Sequence, residues 1–355
     1  MHLSWTRELY RHGGPVASVY VDTERAAPQA AHAIELRARA VSERLSEAGA
    51  DPATIRVLVE QVGSDRGMPA PQGQALFAAG GELLARHELS AAPDRDLVCF
   101  GPLPHVLPLL RDRQCFVPYL LVRTDRVGAD LEVHTSAVGA GEHREVHGDG
   151  EDIRKLPVGD WAQDRYQRRA ENTWDRNARG VAAEAAALAA EHRVAVLVLA
   201  GDVRARTLVK EHLPSPWPQR LVELTSTAEA ADRARSAAAV RALEQAAEVQ
   251  RRLQAGLVDG RAVEGLLPVV SALRNGEVDT LVLAEAGEAL SAQLRFGRSL
   301  GELALPEEQL GGMTEQAPGA DALPFAAALS AARLAFAPPG SFAAGQGVAA
   351  LLRRS

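Results

Sequence analysis

The sequence has no long apolar run, almost no cysteine and almost no lysine. Its richest apolar stretches, such as residues 194–200, fall well short of the roughly 20 residues that span a bilayer. Residues 1–15 lack the apolar core of a secretory signal. These two absences predict a cytoplasmic protein with no membrane partner. The only cysteines, Cys99 and Cys115, are too few for a disulfide framework and lack metal-ligand spacing, so reduced thiols are expected. Among 39 basic Lys and Arg residues, only Lys155 and Lys210 are lysines. With alanine so abundant, that bias reads first as base composition of the gene. A net charge of -7 excludes a surface coated in basic charge, so nucleic-acid binding would need a local patch.

What is present is ordinary for a globular chain: 46% apolar and 24% charged residues argue against wholesale disorder. A length of 355 residues exceeds what one hydrophobic core serves well, so two or three domains are expected. The pattern places them at 1–117, 118–227 and 228–355.

In the first third, residues 16–21 read as a strand and 32–48 as a helix stopped by Gly49. Asp51-Pro52 opens a second helix to Val62. A loop rich in glycine and proline covers 63–73, and residues 75–79 and 97–100 read as strands. The segment 101–118, with four prolines, is a natural boundary. Strands then follow at 119–124 and 130–135 around a turn at Gly128, and 143–155 reads as a polar loop. A long helix is expected to reach about His192. A strand at 194–199 and a helix at 204–212 come next, and then Pro214, Pro216 and Pro218. An alanine-rich helix covers 228–255, a further helix 262–274, a strand 280–284, a glycine-rich loop 311–321 and a last short strand 345–352. Strands alternating with helices predict an α/β fold class, mixed sheets flanked by helices.

The helix carrying residues 165–179 is the most informative feature. Wound at about 100° per residue, Arg165, Arg168, Arg169, Arg176 and Arg179 fall with Asn172 on one face. Tyr166, Ala170, Trp174, Ala178, Val181 and Ala185 follow one another on the opposite side. Guanidinium groups offer a planar fork of donors suited to phosphate and also stack on bases, so this face is a candidate RNA-backbone reader. The alternative is a solvated helix whose arginines pair with Asp160, Asp164, Glu171 and Asp175.

No enzyme class stands out from motif chemistry. His143, Glu145 and His147 invite a zinc reading, but they do not follow the helical zinc signature, and a solvated loop is the expectation. Gly201-Asp202 follows a strand without a phosphate-binding glycine pattern, so Asp202 reads as a helix N-cap. A serine-hydrolase elbow is absent. No metal and no cofactor are expected.

Three separated segments nevertheless resemble one superfamily. Leu273-Arg274-Asn275-Gly276-Glu277-Val278-Asp279-Thr280-Leu281-Val282-Leu283 resembles the third domain of archaeo-eukaryotic release factors and Pelota, where a helix ends in glycine before a buried strand. Val196-Leu197-Val198-Leu199-Ala200-Gly201 resembles the strand of their middle domain. The arginine helix, ending Asn177-Ala178-Arg179-Gly180-Val181-Ala182, lies where that domain places the helix after its catalytic loop. Together with Ser18-Val19-Tyr20-Val21-Asp22, these segments resemble the bacterial branch of the family, which includes actinobacterial release-factor-like proteins and Balon-type hibernation factors.

The resemblance implies a three-domain release-factor/Pelota-like architecture and a ribosome-binding translation factor that occupies the A site. It implies ribosomal RNA as partner through Arg165, Arg168, Arg169, Asn172, Arg176 and Arg179, and elongation factor Tu as a further partner. DNA is not expected. Two departures matter. Where catalytic members carry Gly-Gly-Gln on a loop, this chain reads Gly159-Asp160-Trp161-Ala162-Gln163, so the resemblance implies a loop at Gly159, Asp160 and Trp161, and Asp160 would bring negative charge towards phosphate. The stop-codon-reading Asn-Ile-Lys-Ser motif is also missing. A hibernation factor without stop-codon-dependent release is therefore the expectation. The alternative is a peptidyl-tRNA hydrolase or ribosome-rescue factor in which Gln163 or Gln167 replaces the lost glutamine.

Overall fold

A computed structural model describes residues 1–25, 29–64, 73–135, 141–148, 160–227, 229–308, 315–337, 341–342 and 346–353; for 160–170 it describes the backbone alone. In chain order the elements are α1 (Arg7–Tyr10), β1 (Val16–Asp22), α2 (Ala30–Glu47), α3 (Pro52–Gln61), β2 (Gly73–Ala79), β3 (Glu82–Leu89), β4 (Leu97–Gly101) and α4 (Leu107–Gln114). Then come β5 (Tyr119–Thr124), β6 (Gly128–His134), β7 (His143–His147), α5 (Asp160–Glu191), β8 (Val196–Gly201), α6 (Val203–His212), β9 (Leu221–Glu223) and α7 (Ala230–Val258). The last third holds β10 (Ala262–Glu264), α8 (Leu266–Arg274), β11 (Val278–Ala284), α9 (Glu288–Ser291), β12 (Gln293–Phe296), β13 (Leu303–Ala304), β14 (Glu315–Pro318), α10 (Gly319–Leu329), β15 (Arg333–Ala337) and β16 (Val348–Leu352). The class is mixed α/β, as the alternation of strand and helix patterns predicted.

By packing, the chain divides into two compact units, residues 1–114 with 244–355, and residues 115–243. In the first unit, an antiparallel sheet runs in the order β3-β2-β1-β4, with β1 inside because each of its two neighbours pairs along nearly its whole length. Gly80 and Gly81, at φ +57° and +80°, make the two-residue turn from β2 to β3; positive φ at both central positions suits the right-handed twist of a hairpin. Asp51 caps α3, its carboxylate accepting from the Thr54 N–H at 2.9 Å, and Pro52 stands at the first helical position, where no N–H is needed. The same unit holds the sheets β10-β16-β11-β15, with β11 and β15 parallel, and β13-β12-β14. One apolar cluster joins Tyr20, Phe77, Leu109 and Leu110 to Leu281, Phe296, Leu323 and Leu334, so the N-terminal and C-terminal segments share a core.

The second unit is a five-stranded sheet in the order β7-β6-β5-β8-β9, with β5, β8 and β9 parallel and the β6 and β7 edge antiparallel. Side chains alternate across a strand, and here both faces are covered. Leu120, Val122, Leu197 and Leu199 pack on Ala178, Val181, Ala185 and Leu188 of α5 and on Val209 of α6. Tyr119, Leu121, Val196 and Val198 pack on Ala230, Ala234, Ala238 and Ala242 of α7, an alanine stripe at steps of four.

Four expectations change. The stretch from His143, read as a loop, forms β7: His143, Glu145 and His147 point to solvent and Arg144 and Val146 inward. Only one inward residue is apolar, so no alternation of hydrophobicity marked it. Residues 262–274 are not one helix, because Gly265 at φ +96° separates β10 from α8. Within 311–321, residues 311–314 lie outside the described residues, and the rest is β14 and the first turn of α10 rather than loop. Finally, Asp160 and Trp161 belong to the first turn of α5 and not to a loop, as suits an acidic side chain at a helix N-terminus. Gly159, the other residue of that expected loop, lies outside the described residues.

Candidate nucleic-acid interface

Helix α5 packs one side against the sheet and turns the other outward. Ala178, Val181, Ala182, Ala185 and Leu188 are buried, while Asn172, Arg176 and Arg179 are exposed. Sequence periodicity placed those three on one face. Arg165, Arg168, Arg169, Gln163 and Gln167 lie on the same helix, in its first two and a half turns. Their side chains are outside the described residues.

Trp174 marks a junction that the linear pattern did not reveal. It was assigned to the apolar side, yet it is half-buried, with Arg126 of the β5–β6 turn 4.8 Å and Arg204 of α6 5.2 Å from its ring centroid. Guanidinium over indole is an attractive arrangement, because the positive charge meets the negative face of the ring. Arg204 also reaches Glu171 at 2.7 Å, and Arg126 reaches Asp202 at 3.3 Å. Asp202 caps α6 by accepting from the N–H groups of Arg204 and Ala205, both at 3.0 Å. The Ala205 N–H first, and Arg126 after it, hold its carboxyl below the ordinary aspartate range against an opposing effect of burial.

An open cleft of about 490 Å³ lies here, lined by Arg126, Asp202, Val203, Arg204, Thr207 and Leu208. It sits at the carboxyl ends of β5 and β8, where the chain leaves β5 towards β6 and leaves β8 through α6 towards β9. Ligands of open α/β sheets favour such a reversal of direction.

Among the described residues, Asp175 and Glu171 of α5 are only partly taken by arginines of the same helix. Asp175 meets Arg179 at 3.2 Å and His212 of α6 at 2.7 Å; the hydrogen bond from His212 is the main reason its carboxyl lies below the ordinary range. Glu171 turns to Arg204 instead. Around the cleft and the exposed turn of α5, four guanidiniums among the described residues, Arg126, Arg176, Arg179 and Arg204, stand with the three carboxylates of Glu171, Asp175 and Asp202. Among the described residues, such a surface can hold phosphate at a few points and can stack a base. Asn177 is buried beneath it and donates to the Arg126 carbonyl at 3.3 Å, which ties α5 to the β5–β6 turn. Nothing in the sequence signalled Arg126 or Arg204, because they stand 48 and 30 positions away from Trp174 along the chain.

Residues 118–262 match the sequence profile of bacterial archaeo-eukaryotic release factor family 2. The chain is 29% identical over 337 residues to the uncharacterised protein Rv2629 of Mycobacterium tuberculosis, covering 90% of this chain and 88% of that one. Among solved structures, archaeal translation termination factor aRF1 overlays on 99% of this chain and 96% of its own, at 17% identity and a TM-score of 0.27. Archaeoglobus fulgidus Pelota does so over 99% and 92%, at 16% identity and 0.31. Archaeal Pelota in a ribosome-bound assembly with ABCE1 covers 99% and 94%, at 14% identity and 0.39. Superpositions this loose carry no argument about function. Among the described residues, no helix is long and apolar enough to cross a membrane. The profile match begins at Pro118 before β5, takes in the whole of α5 and ends at Ala262 in β10, so this segment of the chain is similar to bacterial archaeo-eukaryotic release factor family 2.

Proposed function

We propose that this protein is a ribosome-associated translation factor of the cytoplasm. In the finer form of the proposal it occupies the A site of idle ribosomes as a hibernation factor of the Balon type. The observation that carries the reading is a combination within residues 118–262: an arginine-faced helix is present, while the place where the resemblance implies Gly-Gly-Gln reads Gly159-Asp160-Trp161. A body that docks and does not hydrolyse accounts for both. The exposure of Asn172, Arg176 and Arg179 supports contact between α5 and ribosomal RNA, as does the stacking of Arg126 and Arg204 on Trp174 beside an open cleft. The division into domains at 1–117, 118–227 and 228–355 and a role for elongation factor Tu in delivery belong to the same proposal.

Co-sedimentation with purified ribosomes tests it. Wild type pellets with ribosomes, and binding weakens as salt rises in proportion to the phosphates met, by a log–log slope of roughly -0.7 to -0.9 per contact. Reversing Arg165, Arg168 and Arg169 to Glu together abolishes pelleting, and reversing Arg176 and Arg179 flattens the salt slope. Unchanged pelleting of both variants sinks the assignment. Release of nascent peptide from stalled ribosomes by the purified protein, lost in Gln163→Ala or Gln167→Ala, would replace it with a peptidyl-tRNA hydrolase or rescue factor.

A further inference from the structure

The histidines that look like loop residues in the sequence become a patterned face once β7 is recognised as a strand. Successive side chains of a strand alternate, so His143, Glu145 and His147 share its exposed side. The register sets Asp130 of β6 directly opposite Glu145, and side chains of directly opposed residues lie side by side on one face. Asp130, His143 and Glu145 consequently bring a carboxylate oxygen, an imidazole nitrogen and a second carboxylate oxygen to within 4.8 Å of one another. His143 Nε2 stands 4.0 Å from Asp130 Oδ1, and His147 Nε2 stands 3.2 Å from Glu145 Oε2. All four side chains are half or more exposed.

From this geometry we infer a binding site for a divalent transition-metal cation, with Asp130, His143 and Glu145 as ligands and His147 orienting the Glu145 carboxylate. Imidazole with carboxylates is a donor set that suits zinc and its neighbours in the first row. Zinc bonds of about 2.0–2.2 Å put tetrahedral ligands about 3.4 Å apart, so the donors need to close by a little over 1 Å, which exposed side chains can do by rotation. The carboxylates of Asp130 and Glu145 beside the imidazoles give the site a charge that welcomes a dication, and water completes the shell. One arginine, Arg123 of β5, stands directly opposite Asp130 on this face, with the neighbouring Glu132 as its partner. Arg144, between His143 and Glu145 in sequence, points to the other face and pairs with Glu142 and Glu184. That distinguishes this face from a second grouping, Glu142, Glu191 and His192, whose Glu142 is already bound by Arg144.

The consequence is mechanical. β7 is the edge strand of its sheet, paired on one side only, and the ion would clamp it to β6 through ligands from both strands. This inference stands apart from the ribosomal reading and survives its failure. Calorimetric titration of the full chain with ZnCl2, in a Cys115→Ser background that removes the exposed thiol, should give one micromolar site. H143A and E145Q should each weaken it about tenfold or more, on the scale by which lost ligands and their supports act, while E142Q leaves it unchanged. The absence of micromolar binding, or equal affinity in H143A and E145Q, overturns the inference. Cobalt substitution on the wild-type chain gives a second reading: visible bands without thiolate charge transfer support the site, and a thiolate band moves the ion to a cysteine and overturns it.

Discussion

Lowering the pH should loosen the first unit through one side chain. His87 of β3 lies edge-on to Trp5 and Phe77, with ring centroids 5.3 and 6.4 Å away, and its Nδ1 accepts from Arg113 at 3.0 Å. Burial first, and the charge of Arg113 second, press its pKa from 6.5 to about 4. The folded protein therefore keeps His87 neutral over a range in which the unfolded chain protonates it. Between about pH 6.5 and 4 the unfolded state binds more protons, so stability falls as pH falls. The full contribution is present above pH 6.5 and is lost down to about pH 4. At 1.36 kcal/mol per unit, the shift amounts to about 3 kcal/mol, and since the ring is not fully enclosed we expect about 2–3 kcal/mol. Asn at position 87 keeps an acceptor near Nδ1 and cannot titrate. Urea unfolding read by tryptophan fluorescence at pH 7.5, 6.0 and 4.5 should show wild type losing about 2–3 kcal/mol more than His87→Asn across that range. Parallel pH profiles for the two proteins would refute the burial argument.

Gly201 ends β8 at φ +119°, and a Cβ there would lie 1.9 Å from the Thr124 carbonyl oxygen of the neighbouring strand. Gly201→Ala should therefore cost about 3 kcal/mol or more in thermal unfolding of residues 115–243, since backbone strain adds to a contact that no rotamer relieves. A loss under about 1 kcal/mol would contradict the strand pairing. Asp202→Ala removes the cap of α6 and should cost about 1 kcal/mol. Because it also releases Arg126, it should strengthen ribosome co-sedimentation; weaker pelleting at equal fold would mean that the cleft reads something other than phosphate.

Residues that act through their neighbours in sequence were legible without coordinates. Asp51-Pro52 announced the start of α3, Gly49 and Gly276 stopped helices at φ +83° and +71°, and the α5 period of three and four separated Arg176 and Arg179 from Ala178 and Val181. Glu82–Leu89 carried no expectation from the sequence, and pairing with β2 through the Gly80-Gly81 turn makes it a strand. His143–His147 gave no signal of its own and became β7 only by pairing with β6.

The sequence by itself determined the α/β class, the amphipathic α5 with its arginine side and the absence of Gly-Gly-Gln, because each is written in spacings of a few residues. Only the tertiary structure decided that Trp174 sits between Arg126 and Arg204, that Asp130 faces His143 and Glu145, and that the two ends of the chain share a core. Those contacts join positions tens to hundreds of residues apart. Strand register and core packing set them, and neither leaves a periodic trace in the chain.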